Sequence, residues 1–224
     1  MTAGSDGALF KEMRERFFCA LISDVLDNLG HMKQALPASI RPVDESVVMV
    51  GRARTMLYSD VYAFPAPGEN PYELEIALVD SLQRDEVAVC ACGATGRIAP
   101  WGGLLSTASK VSGAGGALMD GLVRDIKDIR LLGFPVFAAG IGPLDSKGRG
   151  KVIAIDVPVE CAGVLIHPGD ILFGDADGCV AIPQAVEQQV LIAAREKLKG
   201  ENKTREALLA GRRLGDVFAE FGIL

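Results

Sequence analysis

The stretch GALMDGLVRD (116–125) joins an apolar run to three charges, Asp120, Arg124 and Asp125. Burying a charge is costly unless it is paired or binds something. One reading is a strand leaving the core, with Asp125 capping the helix that follows. The other is a site. A carboxylate at a strand end can hold Mg²⁺ or Mn²⁺ when waters and substrate oxygens complete an octahedron, and Asp125 suits that role. Arg124 beside it offers a planar fork for a carboxylate or carbonyl oxygen. Asp120-Gly121 reads as the turn that aims the pair. A second feature lies upstream in PWGGLL (100–105), where Gly102 and Gly103 open a helix that continues through Leu104 and Leu105. Glycines let a ligand approach the backbone, and the N–H groups of a first helical turn attract an anion. Spacing alone does not establish that this helix start meets the strand end.

Other chemistries find less support. GAGG (113–116) lacks the Lys-Ser/Thr of a phosphate loop, and the glycine spacing of a dinucleotide site is absent. DADG (175–178) imitates the start of a calcium loop, but the later ligands are missing and a hairpin turn is the simpler reading. Only His31 and His167 are present, which argues against a His-rich metal site or a Ser-His-Asp triad. Cys19, Cys90, Cys92, Cys161 and Cys179 form an odd, scattered set without a C-x-x-C pair, and they read as buried thiols in a reducing compartment. The net charge of −6 and the absence of any basic run longer than Arg212-Arg213 argue against a nucleic-acid surface. The N-terminal apolar patch Phe17–Ile22 is too short for a signal peptide, and no apolar stretch is long enough to span a membrane. A cytoplasmic protein is expected.

The elements that must position these residues follow from periodicity. Residues 7–30 read as helical, with a break near Ser23 and Gly30 as the stop. Residues 46–58 read as a strand with a bulge at Gly51. A loop over 64–71 leads to a helix over 72–82 and a buried strand over 87–92. Glycines and Pro100 mark a loop, then a helix over 104–111, a strand at GALM (116–119), a short helix over 126–133 and a strand over 134–140. Residues 151–160 alternate as a strand. A turn at 167–170, strands at 171–174 and 179–183 and a helix from Pro183 to about Lys199 follow, then a charged helical tail. Strand and helix alternate in the middle, whereas 151–182 is all strand. This predicts an α/β fold with sheets of both kinds.

The residues 101–143 (WGGLLSTASKVSGAGGALMDGLVRDIKDIRLLGFPVFAAGIGP), 157–183 and GRARTM (51–56) resemble the family of the regulator of ribonuclease activity A, which includes 4-hydroxy-4-methyl-2-oxoglutarate aldolases. The resemblance covers most of residues 20–210. It implies one α/β domain of the swivelling β/β/α type over 1–224, with helical N- and C-terminal segments. It also implies trimers or hexamers, with the tail over 184–224 at a subunit interface. The aldolase members cleave such acids to pyruvate and a second keto acid with a divalent metal, Mg²⁺ or Mn²⁺, and decarboxylate oxaloacetate. Carried over, Arg124 holds pyruvate oxygens, Asp125 ligates the metal, and Gly102, Gly103, Leu104 and Leu105 form the loop for the substrate carboxylate. A glutamate from a neighbouring subunit's C-terminal region matches Glu201, with Glu196 second. One departure stands out. The family's acidic residue, separated by twenty positions from the Arg, is Gly103 here, which bears on the aldol step more than on metal or pyruvate binding. The alternative within the family is a non-catalytic regulator that binds a ribonuclease or another protein.

Overall fold

The computed structural model describes residues 6–93 and 96–223. Residues 94–95 of the expected loop, the first five residues of the N-terminal segment and the last residue of the tail lie outside the described residues. The chain opens with α1 (Asp6–Arg16), α2 (Cys19–Asn28) and the short β1 (Arg41–Pro42). The helical break falls at Phe17–Phe18 rather than near Ser23. Phe18 is extended at φ −148° and starts α2, whereas Ser23 lies inside it. Gly30 is left-handed at φ +85° and ends the helix as expected.

The middle of the chain is the expected run of parallel units. β2 (Met49–Asp60), β3 (Glu86–Ala91), β4 (Gly116–Val123) and β5 (Val136–Ile141) pair in parallel, connected in turn by α3 (Glu73–Ser81), α4 (Gly103–Ser112) and α5 (Ile126–Leu132). β3 shows why its sequence lacks a polar alternation. Val87, Val89 and Ala91 face one core while Ala88, Cys90 and Cys92 face the helices α3–α5, so both faces are buried. The second half adds β6 (Gly150–Ile155), β7 (Val159–Cys161), β8 (Val164–Ile166), β9 (Ile171–Asp175) and β10 (Gly178–Ile182). The chain closes with α6 (Glu187–Leu209) and α7 (Leu214–Phe221).

The sheet runs in the order β1-β5-β4-β3-β2-β9-β10. β2 is long enough to pair twice on its outer edge, with β9 over Met49–Arg52 and with β6 over Met56–Asp60, both antiparallel. Arg41 of β1 donates to the Ala176 and Asp177 carbonyls in the β9–β10 turn, drawing the two ends of the sheet together. The result is a mixed α/β domain with a nearly closed, barrel-like sheet and terminal helices. α1, α2 and α6 cover the β9–β10 side through Phe10, Leu21, Ile22, Val190 and Ala194. Among the described residues no helix is long and apolar enough to cross a membrane.

Several local expectations are corrected. Gly51 sits in regular register opposite Leu172, and the irregularity of β2 falls at Leu57/Tyr58. Glycine is required at 51 for space, because a Cβ there would lie 2.1 Å from the Asp85 carbonyl oxygen. The alternation over 151–160 is broken after Ile155 by Asp156, which is left-handed at φ +54°. Pro183 begins a turn, and α6 runs past Lys199 to Leu209. All five cysteines are buried and free.

Candidate active site

β4 does not stop at Met119. It continues through Asp120-Gly121 to Val123, with a register shift against β5 between Met119 and Leu122. Asp120-Gly121 is therefore an irregularity within the strand rather than a turn. Asp120 is 2 % exposed, and its carboxylate accepts the backbone N–H groups of Cys92 and Ala162. This satisfies the first of the three charges structurally and extends the strand far enough to carry the other two to the surface.

The strand end and the helix start do meet. Residues 98–101 run alongside the end of β4: Leu122 N–H donates to the Ile98 carbonyl at 3.0 Å and Arg124 N–H to the Trp101 carbonyl at 3.1 Å. Trp101 is fully buried and bridges to Val123, and its indole N–H donates to Ser106 Oγ at 2.9 Å, pinning the loop to α4. α4 consequently begins directly against Arg124 and Asp125.

Asp125 is left-handed at φ +58°, a conformation aspartate tolerates better than most residues. Its side chain makes no capping bond to α5, so the reading of Asp125 as a cap on the following helix does not hold. Instead Oδ2 accepts the N–H of Gly103 at 3.0 Å, so it caps the preceding helix, α4. Gly102 makes this approach possible, because a Cβ at that position would sit 2.6 Å from Asp125 Oδ2 and 3.1 Å from Arg124 Cγ. With the Gly103 N–H engaged, the N–H groups of Leu104 and Leu105 remain without an acceptor among the described residues. They are the part of the expected anion loop still available to a ligand.

Arg124, Asp125, Gly102, Leu104 and Leu105 line a common cavity of about 260 Å³ with Ala99, Pro100 and Ile76. Gly103, expected in the same loop, does not line it; its N–H is engaged by Asp125. The cavity also contains residues that the motif reading did not single out. Tyr72 donates its hydroxyl to Asp145 Oδ2 at 2.8 Å, and Asp145 approaches the Arg124 guanidinium at 3.8 Å. Burial raises the Asp145 pKa, but the bonds from Tyr72 and backbone N–H groups, with the charge of Arg124, outweigh it and hold the carboxyl below its ordinary value. Burial and Asp145 together push Tyr72 up to about 12. Glu75, from α3, is 6 % exposed, and burial pushes its carboxyl up to about 7. Glu75 was legible in principle: it shares a helical stripe with the buried Leu78, Val79 and Leu82. Asp145 sits in a loop and carries no such signal.

Two expected residues are not brought to this cavity within one chain. Glu201 lies on α6 and pairs with Lys197 at 3.6 Å, and Lys197 also holds Asp24 at 3.0 Å. Glu196 is exposed on the same helix. A larger cleft of about 360 Å³ lies elsewhere, and most of its charges are already paired: Arg52 with Asp6 and Glu187, Arg54 with Glu86, and Asp85 with Arg14 from α1.

Among the described residues no group of three or more His, Cys, Asp or Glu side chains forms a ready-made metal cage. The cavity does set one guanidinium, Arg124, against three carboxyl groups, Glu75, Asp125 and Asp145. Such a donor set suits a hard divalent cation that is held through one carboxylate and keeps most of its water.

The fold and this pocket define a mixed α/β domain with an Arg-Asp pair set against a helix N-terminus. The chain belongs to the Aldolase/RraA family, whose RraA-like description matches residues 19–181. A Halalkalibacterium halodurans protein with a provisional 4-hydroxy-4-methyl-2-oxoglutarate aldolase name is 35 % identical over 84 % of this chain and 83 % of its own length. A Thermus thermophilus protein named 4-hydroxy-4-methyl-2-oxoglutarate aldolase is 33 % identical over 71 % of this chain and 90 % of its own. The crystal structure of Streptomyces coelicolor RraAS2, described as an unusual member of the RNase ES inhibitor RraA protein family, superimposes with a TM-score of 0.78. It is 26 % identical and covers 92 % of this chain and 99 % of its own.

Proposed function

We propose that this protein is a divalent-metal-dependent pyruvate lyase. It cleaves 4-hydroxy-4-methyl-2-oxoglutarate-type acids to pyruvate and a second keto acid, and it decarboxylates oxaloacetate. The observation that carries this reading is the convergence of Arg124, Asp125 and the open N–H groups of Leu104 and Leu105 on one small cavity. The aldolase names of relatives about one-third identical support it.

Both reactions pass through the same charge build-up on a pyruvate enolate. Asp125 would hold Mg²⁺ or Mn²⁺, which when bound would supply Lewis-acid stabilisation of that charge. The chain's own residues do the rest. The Arg124 guanidinium, steadied by Asp145, binds the keto and carboxylate oxygens and adds a fixed positive centre. The Leu104 and Leu105 N–H groups bind the substrate carboxylate at the positive end of α4. Ala99, Pro100 and Ile76 shield the bound acid from water. The aldol route also requires removal of the proton from the substrate's tertiary hydroxyl. Gly103 offers no acid or base, which leaves that task to a group such as Glu201 of a neighbouring copy in a trimer or hexamer, with the 184–224 tail at the interface. Decarboxylation needs no such base, so it is retained better than aldol cleavage.

Gly103 also favours the competing reading, a binding protein of the kind named in the RraAS2 description. The two readings separate in one assay: pyruvate release from oxaloacetate and from 4-hydroxy-4-methyl-2-oxoglutarate, with Mg²⁺ and with chelator. The lyase reading requires metal-dependent release from at least oxaloacetate. No metal-dependent turnover of either acid would favour the binding protein.

A further inference from the structure

Carbon–carbon cleavage leaves an electron pair on the methylene carbon of the pyruvate enolate, and pyruvate forms only when that carbon gains a proton. Position 103, where the resemblance implies an acid, is glycine. A Cβ there would already touch the Cβ atoms of Asp125 and Asp128 at 3.4 Å. Another helix bordering the cavity supplies a carboxyl group instead. Glu75 projects from α3 into the space lined by Gly102, Arg124 and Asp125. It is 6 % exposed and makes no ion pair within 4 Å among the described residues. A buried carboxyl that borders a ligand cavity and lacks a close cation is costly as structure alone. Tyr58 of β2, buried and with no well-formed hydrogen bond from its hydroxyl, lies beside it.

We propose that Glu75 is the catalytic acid that protonates the methylene carbon of the pyruvate enolate. The inference rests on the pyruvate-lyase reading. In the step the carboxylic O–H bond breaks and a C–H bond forms at the methylene carbon. The enolate electrons make that bond as the keto C=O is restored. Glu75 is left as a carboxylate and regains its proton from water at the cavity mouth. The reverse step removes a proton from the methyl group of pyruvate. Burial, reinforced by Asp145 and opposed by Tyr58 and Arg124, places Glu75 at about 7, so that both protonation states are populated at neutral pH. Tyr72, Asp125, Cys90 and Cys92 complete its ionisable surroundings.

The test follows loss of the pyruvate methyl proton signal in D₂O with the Mg²⁺-loaded protein, alongside oxaloacetate consumption. Wild type exchanges the methyl protons. Glu75→Gln loses exchange by about 100-fold or more but consumes oxaloacetate at a rate reduced less than about tenfold, with pyruvate lagging behind as enolpyruvate is released. Glu75→Asp restores part of the exchange, which a purely structural role would not allow. Exchange in Glu75→Gln within about threefold of wild type would overturn the proposal, as would parallel loss of both activities. If Glu75→Gln does not fold by circular dichroism, Glu75→Asp must show slowed exchange with oxaloacetate consumption retained, and unchanged exchange refutes the role. Wild-type protein that neither exchanges pyruvate nor consumes oxaloacetate removes the lyase reading and this inference with it. Wild-type oxaloacetate consumption together with methyl-proton exchange that is unaffected by the Glu75 substitutions removes the inference alone.

Discussion

Gly102→Ala adds one methyl group and should disable the site. The backbone is no obstacle, since φ −155° is extended geometry open to any residue. The obstacle is space: the new Cβ would lie 2.6 Å from Asp125 Oδ2, 3.1 Å from Arg124 Cγ and 3.3 Å from Arg124 Nε. Relief requires both side chains to retreat, which breaks the 3.0 Å bond from Gly103 N–H to Asp125. A hydrogen bond to a charged group is worth about 1.5–3 kcal/mol. In a chain of this size that corresponds to a fall in Tm of roughly 3–12 °C. A displacement of catalytic groups by about 1 Å costs on the order of 100-fold in rate. The expected result is therefore a roughly 100-fold fall in kcat/KM for pyruvate release from oxaloacetate, measured by a coupled dehydrogenase assay, with a folded protein of lowered Tm. Gly103→Ala is the control, because its Cβ meets Asp125 and Asp128 at an ordinary 3.4 Å. Activity of Gly102→Ala within about threefold of wild type would refute the packing argument, and so would equal damage in Gly103→Ala.

Asp125→Asn keeps an acceptor for the Gly103 N–H while removing the charge, so Tm should move by no more than a few degrees while Mn²⁺ affinity, read by isothermal titration calorimetry, falls at least about tenfold. Asp120→Ala removes the acceptor of the buried Cys92 N–H and of the part-buried Ala162 N–H. It should cost roughly 3 kcal/mol or more in denaturant unfolding. The raised pKa of Glu75 also makes stability depend on pH. Its folded value of about 7 exceeds the ordinary glutamate value of 4.5, so the folded state holds a proton that the unfolded state has lost between those pH values. Stability from this group is therefore highest below pH 4.5, falls as pH rises to about 7 and then levels, by up to roughly 3 kcal/mol. Unfolding titrations across that range should show a shallower slope in Glu75→Gln, and identical slopes would contradict the burial argument.

The parallel core was legible because its strands are fully buried. VAVCAC and GALM read as strands from apolar content alone, and the helices between them carry their own periodicity. The extension of β4 was not legible, because Asp120 looks like a turn residue until its partners, Cys92 and Ala162, are known to be 28 and 42 positions away. The same reason hid the cap at Asp125. Local sequence points it at the helix that follows, whereas the acceptor geometry serves Gly103, 22 residues earlier. Gly51 stands out in the sequence as a bulge residue, whereas what demands glycine there is the Asp85 carbonyl on a neighbouring segment. Arg124, Asp125 and Gly102–Leu105 could be chosen as candidates from residue type and resemblance. Their convergence depends on the Trp101–Val123 bridge, a contact that no local pattern encodes. Glu75 was written into the apolar stripe of α3, where a single carboxylate among leucine and valine is the visible sign.

The central claim is that Asp125 and Arg124 together form a site for a divalent cation and the enolate form of pyruvate. Oxalate mimics that enolate, so the direct measurement is Mn²⁺ binding by electron paramagnetic resonance with and without oxalate. Wild-type protein should bind Mn²⁺ weakly alone and markedly more tightly with oxalate, and both Asp125→Asn and Arg124→Ala should abolish the enhancement. Mn²⁺ binding that is indifferent to oxalate, or an enhancement that survives both substitutions, would contradict the account.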